Sequence, residues 1–214
     1  MKKFIMIFFG ILILLPGCVY AARIDGPYEG KVIDADTGEP VEGVVILGVW
    51  YSSQFSPAGA TRNYHDAMET VTDKKGKFSI PGVGLRILSS VELGTILIFK
   101  ARYSYIEIGS WGDLKNIGWK GKYEESYDPV KKLKMQERIY DPKMKVKWED
   151  GKPIIPLRKL TAEERRRQRI PDIYLEERTE GGITHLYIPK KIKLLIKEVN
   201  KELMEQGRKP LEGE

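Results

Sequence analysis

His65 stands beside Asp66, with Glu69 four positions further on, and an imidazole with two carboxylates at that spacing could hold a metal ion or move a proton. Zinc sites ordinarily take three or four protein ligands, and the only other histidine, His185, is distant in sequence, so His65 reads as a solvated loop residue. A zinc carboxypeptidase would need a His-x-x-Glu pair. Here His65-Asp66-Ala67-Met68-Glu69 is one residue too long, and His185 is followed by Leu186-Tyr187-Ile188. The single cysteine, Cys18, lies in the amino-terminal apolar segment, and no Gly-x-Ser-x-Gly elbow accompanies either histidine. Asp34 and Asp36 lack the acidic density of a calcium loop, and turn formation accounts for Asp36. The chain is therefore expected not to be an enzyme and to carry no cofactor or metal. A carboxylate-dependent hydrolase stays as a third reading because Asp and Glu are plentiful.

Residues suited to recognition are easier to find. The connection 52–69 is rich in Ser, Ala, Gly and Pro and longer than most loops, and it offers Tyr64 and His65. Between residues 109 and 128, Trp111, Trp119, Tyr123 and Tyr127 alternate with Lys and Gly, a mixture that can stack on sugar rings or else cap an open end of a core. Arg165, Arg166, Arg167 and Arg169 form a basic cluster. It could meet phosphate or anionic lipid, lie as a solvated helix face, or contact acidic surface elsewhere in the chain. No helix-turn-helix or RNA-binding signature accompanies it, so nucleic acid is not an expected partner.

The elements that would position these groups begin with a strand over residues 28–33. It enters Asp36-Thr37-Gly38, where an Asx side chain and a glycine suit a reversal, and leaves through Pro40. A second strand over 44–51 is apolar nearly throughout, which predicts burial on both faces. Thr72 then leads into a turn bracketed by Asp73 and Gly76, and Phe78 and Ile80 leave it on one face. The pattern is Gly30-x-Val32-x-Asp34-x-x-Thr37-Gly38-x-Pro40-Val41-x-Gly43-Val44-x-Ile46, then Thr72-Asp73-x-x-Gly76-x-Phe78-x-Ile80. It resembles the carboxypeptidase regulatory-like domains over roughly residues 28–105. The resemblance implies a mainly β fold, a transthyretin-like or immunoglobulin-like antiparallel β-sandwich, and a non-catalytic accessory or binding role.

Further along, residues 95–105 predict a strand that starts buried and ends with one wet face, and residues 154–157 a short strand. Thr161 and Glu164 form a capping box for a helix. Residues 172–177 and 183–188 suggest a hairpin. Residues 190–206 form an amphipathic helix with Ile192, Leu195, Ile196, Val199 and Leu203 in one stripe, expected to pack on the body of the protein because its polar face mixes both charges. The domain plan is a sandwich over 24–109, an aromatic and basic connecting region over 110–160, and a basic, partly helical extension over 161–214.

The amino terminus reads as an export signal. Residues 4–15 form an apolar stretch that spans about 18 Å as helix, against a hydrocarbon core of about 30 Å. Either Leu15-Pro16-Gly17-Cys18 is a lipobox that leaves a lipid-modified Cys18, with 1–17 removed, or Val19-Tyr20-Ala21 is a signal-peptidase site that removes 1–21. The net charge of +6 belongs to the second half: residues 22–110 hold 9 Lys/Arg against 11 Asp/Glu, residues 111–214 hold 25 against 19. The expectation is a non-catalytic binding or envelope-structural module, periplasmic or an outer-membrane lipoprotein, with an envelope protein or glycan as partner. The alternative is a glycan-binding accessory domain using Trp111, Trp119 and the 52–69 connection.

Overall fold

The computed structural model describes residues 22–56, 59–87, 89–117, 119–122, 136–140, 142–171, 175–179, 182–186 and 189–211. Cys18, with the predicted export signal, and Tyr123 lie outside them. The strands in chain order are β1 (Ala22–Asp25), β2 (Tyr28–Asp34), β3 (Val45–Ser56), β4 (Gly59–Val71), β5 (Lys77–Ile80), β6 (Gly84–Ile87) and β7 (Val91–Phe99). They continue with β8 (Ile106–Ile108), β9 (Trp119–Lys122), β10 (Gln136–Tyr140), β11 (Lys147–Glu149), β12 (Lys152–Leu157), β13 (Leu175–Thr179) and β14 (Gly182–Leu186). Two α-helices follow the same numbering, α1 (Ala162–Arg167) and α2 (Lys193–Glu205). The fold is mainly β, with antiparallel sheets.

One sheet of four strands runs β11-β12-β2-β5 and one of six runs β14-β13-β4-β3-β7-β8, while β1–β6 and β9–β10 form separate ribbons. The exception to antiparallel pairing is β12 beside β2, which runs parallel with Ile154 opposite Lys31 and Leu157 opposite Asp34. The short strand expected at 154–157 is thus a neighbour of the strand that opens the sequence motif. Asp150 and Gly151, both at positive φ, make the tight turn that reverses β11 into β12.

The first half of β3 shows why a strand can carry apolar side chains on both faces. Ile46 and Trp50 point to one side, where they meet Leu93, Ile96 and Ile98 of β7 and, from the four-stranded sheet, Val32, Phe78, Ile80, Ile155 and Leu157. Val45, Leu47, Val49 and Tyr51 point to the other side. There Ile192, Leu195, Ile196, Val199 and Leu203 cover them, each at most 3% exposed. The amphipathic stripe read from sequence therefore packs on the six-stranded sheet. Each fully buried side chain of this size contributes about 1.5–3 kcal/mol by removal from water.

Polar contacts seat the helix at both ends. The Glu69 carboxylate of β4 accepts from the backbone N–H groups of Leu194 and Leu195, at 2.9 and 2.8 Å, and so caps the first turn of α2 from outside. Burial pushes the Glu69 carboxyl up, although those two N–H groups favour its charge. At the other end, Ala101 N–H donates to Glu198 and Arg102 N–H to Glu202, at 3.0 and 2.7 Å. These contacts explain one difference from expectation. The strand predicted over 95–105 stops at Phe99, and the chain turns at Ala101 and Arg102 because helix carboxylates take the N–H groups a ladder would have used.

Two further expectations are corrected. The connection 52–69 is no long loop, since β3 and β4 continue pairing from Val45 with Val71 out to Ser56 with Gly59. Its small polar residues read as loop from composition, but a paired neighbour decides whether such a segment is strand. At the first motif turn the Asx side chain is that of Asp34, which accepts from the N–H groups of Asp36 and Thr37 at 2.9 and 3.0 Å. Asp36 is exposed and pairs with Lys143 at 2.7 Å. Burial disfavours charge on Asp34, yet the Thr37 and Asp36 N–H groups and the Tyr103 hydroxyl hold its pKa below the ordinary carboxylate value.

The second motif turn behaves as read. Gly76 N–H donates to Asp73 O at 2.8 Å, and Gly76 sits at φ 71°. A Cβ there would lie 2.3 Å from the Val32 carbonyl oxygen, whereas one at Gly38, at φ 75°, would meet nothing within 4 Å. Gly38→Ala should therefore cost about 1–2 kcal/mol for the left-handed backbone alone. Gly76→Ala should cost clearly more, because the β4–β5 turn must also move away from the Val32 carbonyl of β2. Denaturant unfolding of the two variants checks that order, and equal losses would contradict it.

Candidate functional site

β3 carries its largest side chain, Trp50, at a level where both neighbouring strands bulge. On the β4 side Trp50 pairs with Asp66 and Tyr51 with Tyr64, leaving His65 as the extra residue; on the β7 side Val49 pairs with Thr95 and Trp50 with Leu93, leaving Gly94. Bulges bend a strand and re-aim its side chains. The indole lies over Gly48, where a Cβ would be 2.8 Å from the ring, and is fully buried.

A buried indole N–H needs an acceptor, and Asp25 at the end of β1 supplies it. Asp25 Oδ2 accepts from Trp50 Nε1 at 2.7 Å and from the Val83 backbone N–H at 3.0 Å, while Oδ1 accepts from the Tyr28 hydroxyl at 2.5 Å. One carboxylate, only 8% exposed, thus joins β1, β2, β3 and the 81–84 turn. Burial, the hydrogen bond to Asp25 and the Asp25 charge together push the Tyr28 phenol well above its ordinary value. The Tyr28 ring packs against Trp50 at 6.3 Å and Trp111 at 5.1 Å between centroids, and Trp111 meets Phe78 edge-on at 6.3 Å.

The hub forms one wall of a cleft of about 310 Å³, lined by Arg23, Asp25, Tyr28, Glu92, Ser110 and Trp111 among others. Trp111 opens a short 3-10 helix, Trp111–Asn116, whose preceding Ser110 hydroxyl donates to Asp113 at 2.8 Å. Arg23 donates to the Val91 carbonyl oxygen, which fixes its guanidinium along the rim. Glu92 is exposed and has no ion-pair partner among the described residues. The cleft therefore combines an aromatic edge with a cation, a carboxylate and a hydroxyl. That set can hold a small hydroxyl-rich or zwitterionic molecule by stacking and directional hydrogen bonds.

The residues singled out from sequence do not converge. Trp111 lines this cleft and also packs on the first core. Tyr64 packs on the second core, on the opposite face of β3, and its hydroxyl is buried without a partner. Burial, with the Asp66 and Tyr51 charges, pushes the Tyr64 phenol up to about 12. His65 is exposed, with Nε2 3.3 Å from an Arg86 guanidinium nitrogen. Its two acidic neighbours are occupied by the carboxy-terminal segment, Asp66 by Lys191 at 2.8 Å and Glu69 by the start of α2. Among the described residues no cluster of three or more His, Cys, Asp or Glu side chains could hold a metal ion. Trp119 lies on β9, opposite Tyr140 of β10.

Sequence reasoning missed Asp25 altogether. Its partners lie 3, 25 and 58 positions away, so no local pattern announces it. The usable signal was Trp50, since a tryptophan in a fully apolar strand must find an acceptor. Comparison with family models, with curated proteins and with solved structures finds no match to this chain.

Replacing Asp25 by Ala strands three donors, of which the Trp50 N–H cannot reach solvent. A loss of about 3 kcal/mol is expected, in line with the cost of about 1–3 kcal/mol for each buried group left unpaired. Denaturant unfolding followed by tryptophan fluorescence measures it, and a loss below about 1 kcal/mol would remove Asp25 from its role as hub.

Proposed function

We propose that this chain is a non-catalytic binding module of the cell envelope, and that its ligand sits in the cleft between Arg23, Glu92, Ser110 and Trp111. The observation that carries the reading is the division of labour around Asp25. The Asp25 carboxylate lines the inner wall of the cleft but is engaged by three structural donors, while Arg23, Glu92, Ser110 and Trp111 around it are suited to holding a ligand. The Trp111 indole N–H has no partner among the described residues, and Glu92 has none either. Those are groups ready to meet a ligand.

The fold assignment behind this reading is a transthyretin-like β-sandwich of the carboxypeptidase regulatory-like type. The first of the two apolar cores, fed by both the four-stranded and the six-stranded sheet, supports it, as do the motif glycines 38, 43 and 76, all at positive φ. The proposal also carries the export reading, with Cys18 as a lipid tether or residue 22 as the mature start, and an envelope partner. Among cleft occupants a glycan is favoured, because an aromatic ring flanked by a guanidinium, a carboxylate and a hydroxyl matches the apolar face and hydroxyl edge of a sugar.

The test is a calorimetric titration of the processed protein with soluble cell-wall oligosaccharides and with short peptides. Trp111→Phe keeps a ring against Tyr28 and Phe78 but removes the indole N–H, and Glu92→Gln removes the charge. Each should weaken binding about tenfold, as expected for loss of one hydrogen bond to a ligand, with unchanged thermal stability for Glu92→Gln and a folded protein of lowered thermal stability for Trp111→Phe, whose ring packs on the core. Binding that ignores both changes would remove the cleft from the account. Turnover of a peptide or glycoside by metal-free protein would overturn its non-catalytic part.

A further inference from the structure

Helix α2 carries a mixture of charges in sequence but sorts them in space. Glu198 and Glu202 turn to the protein, and the exposed Glu205 is held by arginines at the edge of the helix. Glu198 takes the Ala101 N–H, Glu202 takes the Arg102 N–H and both arms of the Arg165 guanidinium at 2.8 and 2.9 Å, and Glu205 takes the Arg102 and Arg165 side chains. Lys193, Lys197 and Lys201, by contrast, recur every fourth residue along the exposed side. Lys201 reaches Glu198 only at 3.7 Å, and an exposed pair of that kind contributes little. Lys193 and Lys197 have no acidic partner among the described residues.

Leu194 and Met204 lie among these lysines, 38% and 59% exposed. At 3.6 residues per turn all five side chains fall within an arc of about 100°. The centre of the face opposite the packed stripe is thus cationic, with two apolar side chains between the charges and Glu205 at its edge, where Arg102 and Arg165 neutralise it.

We propose that this face of α2 docks on an anionic phospholipid bilayer. Lysine stems are long enough to place ammonium groups at lipid phosphates while Leu194 and Met204 reach the acyl boundary. A helix surface bearing point charges, without a guanidinium fork, suits a diffuse sheet of negative charge better than a single bound phosphate. The sorting is what makes the face usable. Had the glutamates pointed outward, each would have cancelled a lysine; instead they anchor the helix through Arg102 and Arg165. Docking here is independent of what fills the cleft.

The test measures partition of the processed protein, at low ionic strength, onto phosphatidylcholine vesicles and onto vesicles that also contain phosphatidylglycerol. Comparing the two subtracts any contribution from a lipid tail at Cys18. Each lysine near an anionic surface is worth about fivefold in partition, so phosphatidylglycerol should raise binding by roughly a hundredfold. The gain should fade as salt screens it. The triple change Lys193→Gln, Lys197→Gln and Lys201→Gln should abolish the gain, and the corresponding triple change to Arg should keep it, with equal thermal stability for both. A gain that survives the glutamine changes, no gain from phosphatidylglycerol, or binding to inorganic polyphosphate without binding to the vesicles would each overturn the proposal.

Discussion

A strand with apolar side chains on both faces must be covered twice, and β3 imposes that demand on the whole chain. Its alternate residues feed two separate cores. The first is closed by β2, β5 and β12, so residues from beyond position 150 complete a sheet begun before position 35. The second is closed by α2, at the far carboxy-terminal end. Stripping α2 away would expose Val45, Leu47, Val49 and Tyr51 together on one side of a sheet. A patch of that kind on a soluble surface invites association. The carboxy-terminal segment is therefore part of the fold's stability and does not hang from it as an appendage.

The same docking organises the electrostatics. Arg165 from α1 meets Glu202 and Glu205, and the Glu202 side chain is only 7% exposed. Burial alone would raise the Glu202 pKa, but hydrogen bonds from Arg165, Gln206 and the Arg102 N–H hold it below the ordinary value. A buried ion pair of this kind gives little net stability relative to an apolar pair, yet breaking it is costly, so it fixes how α1 and α2 sit more than how strongly. Fixing them leaves the lysines of α2 outside. The basic cluster of the sequence thus divides between a seat for acids, at Arg165, and exposed cations such as Arg166 and Arg169.

Legibility followed the range of the physics. The turn at Asp73 and Gly76, the capping box of Thr161 and Glu164, and the stripe of α2 depend on residues a few positions apart, and they were readable. The two-sided burial of β3 was readable too, because an unbroken apolar run of strand length leaves neither face suited to water. What failed depended on partners far away. Residues 52–56 and 59–69 look like loop until β4 is laid against β3, and β7 ends early because of carboxylates about a hundred positions later. Asp25 is invisible for the same reason. Tyr64 and Trp111 were both singled out for their chemistry, but only the packed fold shows that they lie against the two cores on opposite faces of β3.

The most direct test of the two-core account is native-state amide hydrogen exchange, comparing Ile46–Val49 in β3 with Leu195–Leu203 in α2. If β3 needs both covers, the two segments open together, with the same free energy and the same response to denaturant, equal to that of global unfolding. If α2 amides exchange through a local opening several kcal/mol easier than that of β3, the helix is a detachable cover and the account is wrong at its centre.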